Sequence, residues 1–268
     1  MGAMGRPDWV SDVSVGDWIA DRLRVLDGRV GSTVPAVFDA YARVLHPPHT
    51  MTGEPGSWAQ VCARTGATAH PLMQWRAISR AEIVPMADGS VTERSAWAGS
   101  PPDRGNLPAD ALAALLDVLS GHTAGQRCVF ALWEGLDWVD TRGASVTRTL
   151  PDGRWVTEEP PSAFPLEILE GPRLERPGRS YLLFTGPLDD AGGLGDPRGI
   201  WPQSPNLFWP ADRSWCVATE IDFDSTLVGG SRDLVAAVLA HPRLEAWPVT
   251  EDDSLAWDAD TINSGQRP

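Results

Sequence analysis

After the segment 109–119 the spacing of apolar residues changes character. Up to that point apolar positions recur at three- and four-residue steps. Val37, Phe38, Tyr41 and Leu45 predict a helix over 35–45, ended by His46-Pro47-Pro48. A shorter helix is predicted over 58–64. In 109–119, Leu112, Leu115, Leu116 and Leu119 form an apolar stripe with Gly121 beyond its C-terminus. Downstream the pattern becomes alternating or continuously apolar, and strands are predicted at 128–133, 145–150, 154–157 and 181–184. Pro151-Asp152-Gly153 predicts a hairpin turn, because proline presets the first turn dihedral and glycine accepts a positive φ. A last helix is predicted over 232–240, with Ser231 placed to cap it and His241-Pro242 to stop it.

Hairpin-linked strands with helices before and after them define an α+β fold with an antiparallel or mixed sheet. The chain reads as a single domain over 1–268. Within it, 1–100 forms a helical, loop-rich subregion, 100–108 a linker or long loop, and 249–268 an acidic, solvated tail.

The segment from Ser204 to Ser231 brings apolar anchors, an arginine and clustered acids together. A strand over 206–209, a turn through Pro210-Ala211-Asp212-Arg213 and a second strand over 214–224 are predicted. Alternation then places Trp215, Val217, Thr219, Ile221 and Phe223 on one face and Cys216, Ala218, Glu220, Asp222 and Asp224 on the other. Carboxylates at two-residue spacing suit Mg²⁺ or Ca²⁺, or a division of acid and base roles; the competing reading is a half-buried strand with its acids in water or paired with arginines. Trp201 and Trp209, set among prolines beside Arg213, are expected to be partly exposed. Exposed Trp and Arg together are the composition of interface hot spots, which makes Trp201, Trp209 and Arg213 the candidate contact residues.

Ile221-Asp222-Phe223-Asp224-Ser225-Thr226-Leu227 resembles the first motif of the haloacid dehalogenase-like phosphatases, DxDxT after an apolar strand. The resemblance covers about seven residues and implies Asp222 as nucleophile, Asp224 as general acid and Mg²⁺ as cofactor. The chain departs from the family in the motif's late position and in having no lysine for the later basic motif. The longer run SPNLFWPADRSWCVATEID, with VGGS downstream, resembles uncharacterised proteins of GC-rich actinobacteria, which implies a bacterial, cytoplasmic setting and no particular activity.

Composition narrows the chemistry. The 268 residues include no lysine, so a Schiff-base lysine and a P-loop lysine are both excluded. A net charge of −14 without a basic run argues against nucleic acid as a partner. No apolar run has the length of a membrane span, and the N-terminus lacks the apolar core of a secretory signal. Cys62, Cys128 and Cys216 include no close pair, which fits reduced thiols. His46, His49, Cys62 and His70 lie close in sequence, but the spacing HPPH is poor for a zinc pair. Gly192-Gly193-Leu194-Gly195 is followed by Asp196-Pro197 where a dinucleotide-binding helix would open, and so reads as a loop. Most of the 13 tryptophans are expected in the core. No cofactor is implied. The expectation is a non-enzymatic, cytoplasmic protein that binds another protein. The alternatives are a metal-dependent hydrolase using Glu220, Asp222 and Asp224, and a small-molecule binder with a Trp-lined pocket.

Overall fold

The computed structural model describes residues 5–24, 27–86, 88, 90–176, 178–196 and 201–264; the first residues of the N-terminal stretch read for targeting signals, and the last of the acidic C-terminus, lie outside them. In chain order the elements are β1 (Asp8–Trp9), α1 (Asp17–Ala20), α2 (Val30–Thr33), β2 (Ala40–Leu45), α3 (Trp58–Thr65), α4 (Trp75–Ile78), β3 (Glu82–Pro85), β4 (Val91–Arg94) and α5 (Ala109–Ser120). There follow β5 (Cys128–Trp133), β6 (Val146–Thr149), β7 (Trp155–Glu158), α6 (Leu166–Leu169), β8 (Leu174–Arg176) and β9 (Arg179–Gly186). The last elements are β10 (Leu207–Pro210), β11 (Cys216–Ala218), β12 (Ser225–Gly230), α7 (Arg232–Ala240) and β13 (Ala246–Val249).

Nine strands make one antiparallel sheet in the order β1-β9-β5-β10-β11-β12-β2-β13, with β8 sharing the outer edge of β9 with β1. The fold is therefore mixed α+β, with an open antiparallel sheet. Two hairpins, β3–β4 and β6–β7, stand apart from it.

Both faces of the sheet are covered, so its central strands are apolar at nearly every position instead of alternating with polar residues. On one face Phe130, Leu132, Leu182, Phe184, Phe208, Val217 and Val228 pack beneath α5 and α7, which contribute Leu112, Leu115, Leu119, Leu234 and Val238. On the other, Ala131, Tyr181, Leu183, Leu207, Trp209, Cys216 and Leu227 meet Trp18, Ile19, Val30 and Leu255. A smaller cluster joins Leu45 to Trp58, Val61, Met73 and Ile78. Helix α3 begins at a capping box, Ser57 with Gln60, and half-buried Glu245 accepts the amide hydrogens of Trp58 and Ala59 at 2.7 and 2.8 Å. Ser231 caps α7 as its sequence position suggests.

Several expectations are corrected. The helix expected over 35–45 is a turn followed by β2, because Tyr41 to Leu45 pair with β12 on one side while β13 takes the other; Tyr41 Oη holds the preceding turn by donating to Pro35 O and accepting from Phe38 N. Tertiary pairing overrides a spacing that fits a helix equally well. The first hundred residues thus supply β1 and β2 to the main sheet in addition to the helices α1 to α4. The acidic C-terminal segment is packed as far as Ser264: Asp260, 1% exposed, accepts from His70 and from the backbone of Gln74, Ile262 and Asn263. It is a staple and not a solvated tail.

One charge lies deep in the sheet. Arg43, 1% exposed in the middle of β2, donates through Nε to Ser225 Oγ at 3.0 Å and through Nη1 to the carbonyls of Pro71 and Met73 at 3.0 and 2.8 Å. Its Nη2 meets Asp224 at 3.4 Å, and its guanidinium lies 5.6 Å from the Trp58 ring. Removing one partner of a buried pair strands the other, so Arg43→Ala is expected to lower unfolding free energy by about 3–5 kcal/mol. Asp222→Asn, at an exposed carboxylate, is expected to change it by less than about 1 kcal/mol, and urea titration of both variants checks the contrast.

Candidate functional site

The three carboxylates do not lie along one strand. Strand β11 stops at Ala218, and the chain reverses before β12 opens at Ser225. Phe223 N closes a turn on Glu220 O at 3.0 Å, while Thr219 N bonds Asn206 O at 2.7 Å. Alternation therefore ends at Ala218, and the acidic residues occupy a reversal. Glu220 is buried and, with Asp222, holds Arg179, whose guanidinium lies 5.7 Å from the Trp133 ring. Asp224 points the other way, to Arg43. Each acid is thus already matched to an arginine, and among the described residues no group of three or more His, Cys, Asp or Glu is placed to hold a metal ion. The phosphatase resemblance lacks its setting: the sheet is antiparallel, Thr226 lies inside β12, and its hydroxyl is held between His46 Nε2 and Thr219 Oγ1.

The contact residues proposed from sequence are also redistributed. Trp209 is 1% exposed, not partly exposed, and packs edge-on to Trp18 with ring centroids 5.9 Å apart. Arg213, at the β10–β11 tip with φ of 60°, lies 5.6 Å from the Trp18 ring. Trp201 is 56% exposed as expected, but it sits beyond the other end of β10, which at 3.4 Å per residue is about 13 Å of strand away from the tip. The tip residues 211–214 are exposed, but neither tryptophan joins Arg213 on that surface: Trp209 is buried and Trp201 lies at the other end of the strand.

Exposed aromatics do gather around the reversal. The loop 103–106 is clamped on one side to Trp201's segment: Asn106 Nδ2 donates to Pro202 O, Asn106 Oδ1 accepts from Ser204 N, and Gln203 donates to Gly105 O. On the other side Gly105 N donates to Phe223 O at 3.0 Å. Gly105 has φ of +70° and would place a Cβ 2.8 Å from the Ile221 backbone, so only glycine fits. Next to this loop lies a cleft of about 230 Å³ whose walls include Arg43, Arg104, Asp222, Phe223, Asp224 and Trp257. Trp257 is 84% exposed. It reaches the cleft because the segment after β13 is tied across the sheet by Val30 N to Asp253 O and Leu255 N to Gly28 O. Arg104, on the rim, is exposed and has no hydrogen bond or ion pair to another described residue. Sequence reasoning passed over both residues. Their available signals were a lone tryptophan in an acidic run and a lone arginine in a Pro/Gly loop.

The polar groups grouped by sequence as a possible zinc set are dispersed into structural bonds. His46 lies buried, donating from Nδ1 to Asp103 O at 2.7 Å and accepting at Nε2 from Thr226 Oγ1 at 2.9 Å, a tautomer assigned from this network. His70 bonds Asp260 and Cys62 lies against Met73, while His49 stands 3.7 Å from Asp103. Burial pushes the His46 imidazole below its ordinary value of 6.5. Burial likewise raises Glu245 above 4.5 against the pull of its two amide hydrogens. The chain matches no protein-family model, no curated protein and no solved structure, so the functional reading rests on the site itself.

Two predictions follow from this geometry. Trp209→Ala is expected to cost about 3–5 kcal/mol, the usual loss for a fully buried tryptophan, whereas Trp201→Ala changes stability by no more than about 0.5 kcal/mol. Denaturation midpoints distinguish the two. The unfolded chain binds a proton on His46 that the folded chain resists, so this contribution is full above about pH 6.5 and is lost as pH falls below it, by at most about 1.4 kcal/mol per pH unit. Glu245 acts with the opposite sign, contributing below its ordinary value and losing that contribution as pH rises through its raised one. Lowering the pH from neutral to about 5.5 is therefore expected to cost the parent chain more stability than His46→Gln, in which the imidazole contribution is gone.

Proposed function

We propose that the protein acts by binding another protein through the surface formed by the 219–224 reversal, the 103–106 loop and the 255–257 segment. The observation that carries this reading is Trp257, almost wholly exposed on the wall of a cleft that also holds exposed Arg104, which has no hydrogen-bond or ion-pair partner among the described residues. Trp and Arg dominate binding hot spots because they combine large apolar area with directed donors. At about 230 Å³ the cleft is smaller than usual small-molecule pockets and suits one inserted side chain of a partner. Of the tryptophans, Trp257 alone lines it, which weighs against an aromatic cage for a ligand.

The charge of −14 points to a partner with a basic surface, since complementary fields speed encounter and exclude like-charged competitors. Three buried, unpaired cysteines support a reducing, cytoplasmic setting. The test is to isolate the partner by affinity capture and measure its Kd. Trp257→Ala and Arg104→Ala are expected to keep the melting temperature and to weaken binding about tenfold or more each, with affinity falling as salt is added. Unchanged affinity in both variants refutes the reading.

A further inference from the structure

The hairpin β6–β7 belongs to neither core. It pairs Val146 with Glu158, Thr147 with Thr157, Arg148 with Val156 and Thr149 with Trp155, and seven of these eight residues are exposed. One face carries Val146, Arg148, Val156 and Glu158; the other carries Thr147, Thr149, Thr157 and Trp155, which is 76% exposed. A two-stranded hairpin that buries neither face is marginal in water and gains stability when further strands join it.

The edges of the main sheet and of this arm differ. On the main sheet β1 has two residues, β8 has three and β13 contains Pro248, all features that blunt strand addition. Strands β6 and β7 have no proline, and their composition is β-branched and aromatic. Leu150 N donates to Arg154 O at the turn, which sets the phase of the ladder. By antiparallel alternation the backbone groups of Thr147 and Thr149 on β6, and of Trp155 and Thr157 on β7, point outward and stay unpaired.

Charge indicates what adds to this edge. Residues 145–158 hold Arg148, Arg154, Asp152 and Glu158, a net charge of zero in a molecule of −14. These charges are matched within the arm, Arg148 to Glu158 at 3.0 Å and Arg154 to Asp152 at 2.8 Å. A basic partner finds no attraction here, whereas a second copy finds a surface free of the acidic excess that repels it elsewhere. Each four-residue strand spans about 13 Å, longer than the roughly 8 Å screening length at physiological salt, so arm-to-arm contact holds the acidic bodies apart.

We propose that two copies of this chain associate arm to arm, pairing an outer edge of one β6–β7 hairpin with its counterpart in an antiparallel four-stranded sheet that sets Trp155 of both copies on one face. The proposal is independent of the partner-binding surface, and salt separates the two: raising salt from about 0.01 M, where the screening length of about 30 Å exceeds the span of the arms, to physiological strength strengthens an association of like-charged bodies and weakens binding to a basic partner. Light scattering and sedimentation over a wide concentration range test it on the full chain. The expected result is a concentration-dependent dimer, stronger at higher salt and weakened at least tenfold by Trp155→Ala. Either Thr147→Pro or Thr157→Pro is expected to abolish it, since each removes an outward amide without touching the hairpin's own bonds, and circular dichroism verifies that the variants fold. A chain that stays monomeric up to its solubility limit, or a dimer that survives both proline substitutions, overturns the proposal.

Discussion

The guanidinium of Arg43 ties together elements that the chain brings from four places. Its donors reach Ser225 at the opening of β12, the carbonyls of Pro71 and Met73 ahead of α4, and Asp224 in the reversal, while its face lies over Trp58 of α3. Burial drives the guanidinium below its ordinary pKa, and Asp224 offsets part of that cost. Five directed donors are the reason an arginine can serve here: a lysine would offer a point charge without the fork that spans two carbonyls and a hydroxyl. The cleft wall is a by-product of this arrangement, since Asp224 and Ser225 are positioned by Arg43 and line the same opening.

The acids around the reversal illustrate how context decides the role of a carboxylate. Glu220 and Asp222 share Arg179, and Asp224 meets Arg43, so charges that look like a metal row in sequence are balanced pairs in space. The exposed contact of Asp222 contributes little stability, and the largely buried pairs of Glu220 with Arg179 and Asp224 with Arg43 serve to fix geometry more than to supply net energy. What remains at the surface of the cleft is an aromatic and a cationic group, Trp257 and Arg104, that are both exposed and without a hydrogen-bond or ion-pair partner among the described residues.

Strand β5 was legible because the run Cys128 to Trp133 is too short and too apolar for an amphipathic helix, and helix α5 because its leucines recur at helical spacing, whereas β12 was not predicted. Two elements were misread for identifiable reasons. The residues 37–45 satisfy a helical spacing, yet pairing of β2 on both sides decides the outcome. The alternation after Trp215 runs on through Asp224 in the sequence, but the backbone turns back at Glu220, so pattern continues where structure does not. Trp257 and Arg104 carry no periodic signal, because their places depend on backbone bonds to Gly28 and, through Gly105, to Phe223, residues far along the chain. The arginine in the middle of an otherwise apolar AYARVL was the one local hint of the buried tie.

The sheet order has a consequence for biosynthesis. Strand β2 finds both of its neighbours only in β12 and β13, so the apolar segment at residues 40–45 waits for residues 225–249 to emerge. At typical translation speeds the interval of about 180 residues lasts roughly ten to forty seconds. Throughout it β2 is without either of its neighbours, so the half of the sheet built on β2 closes only after β12 and β13 have been made.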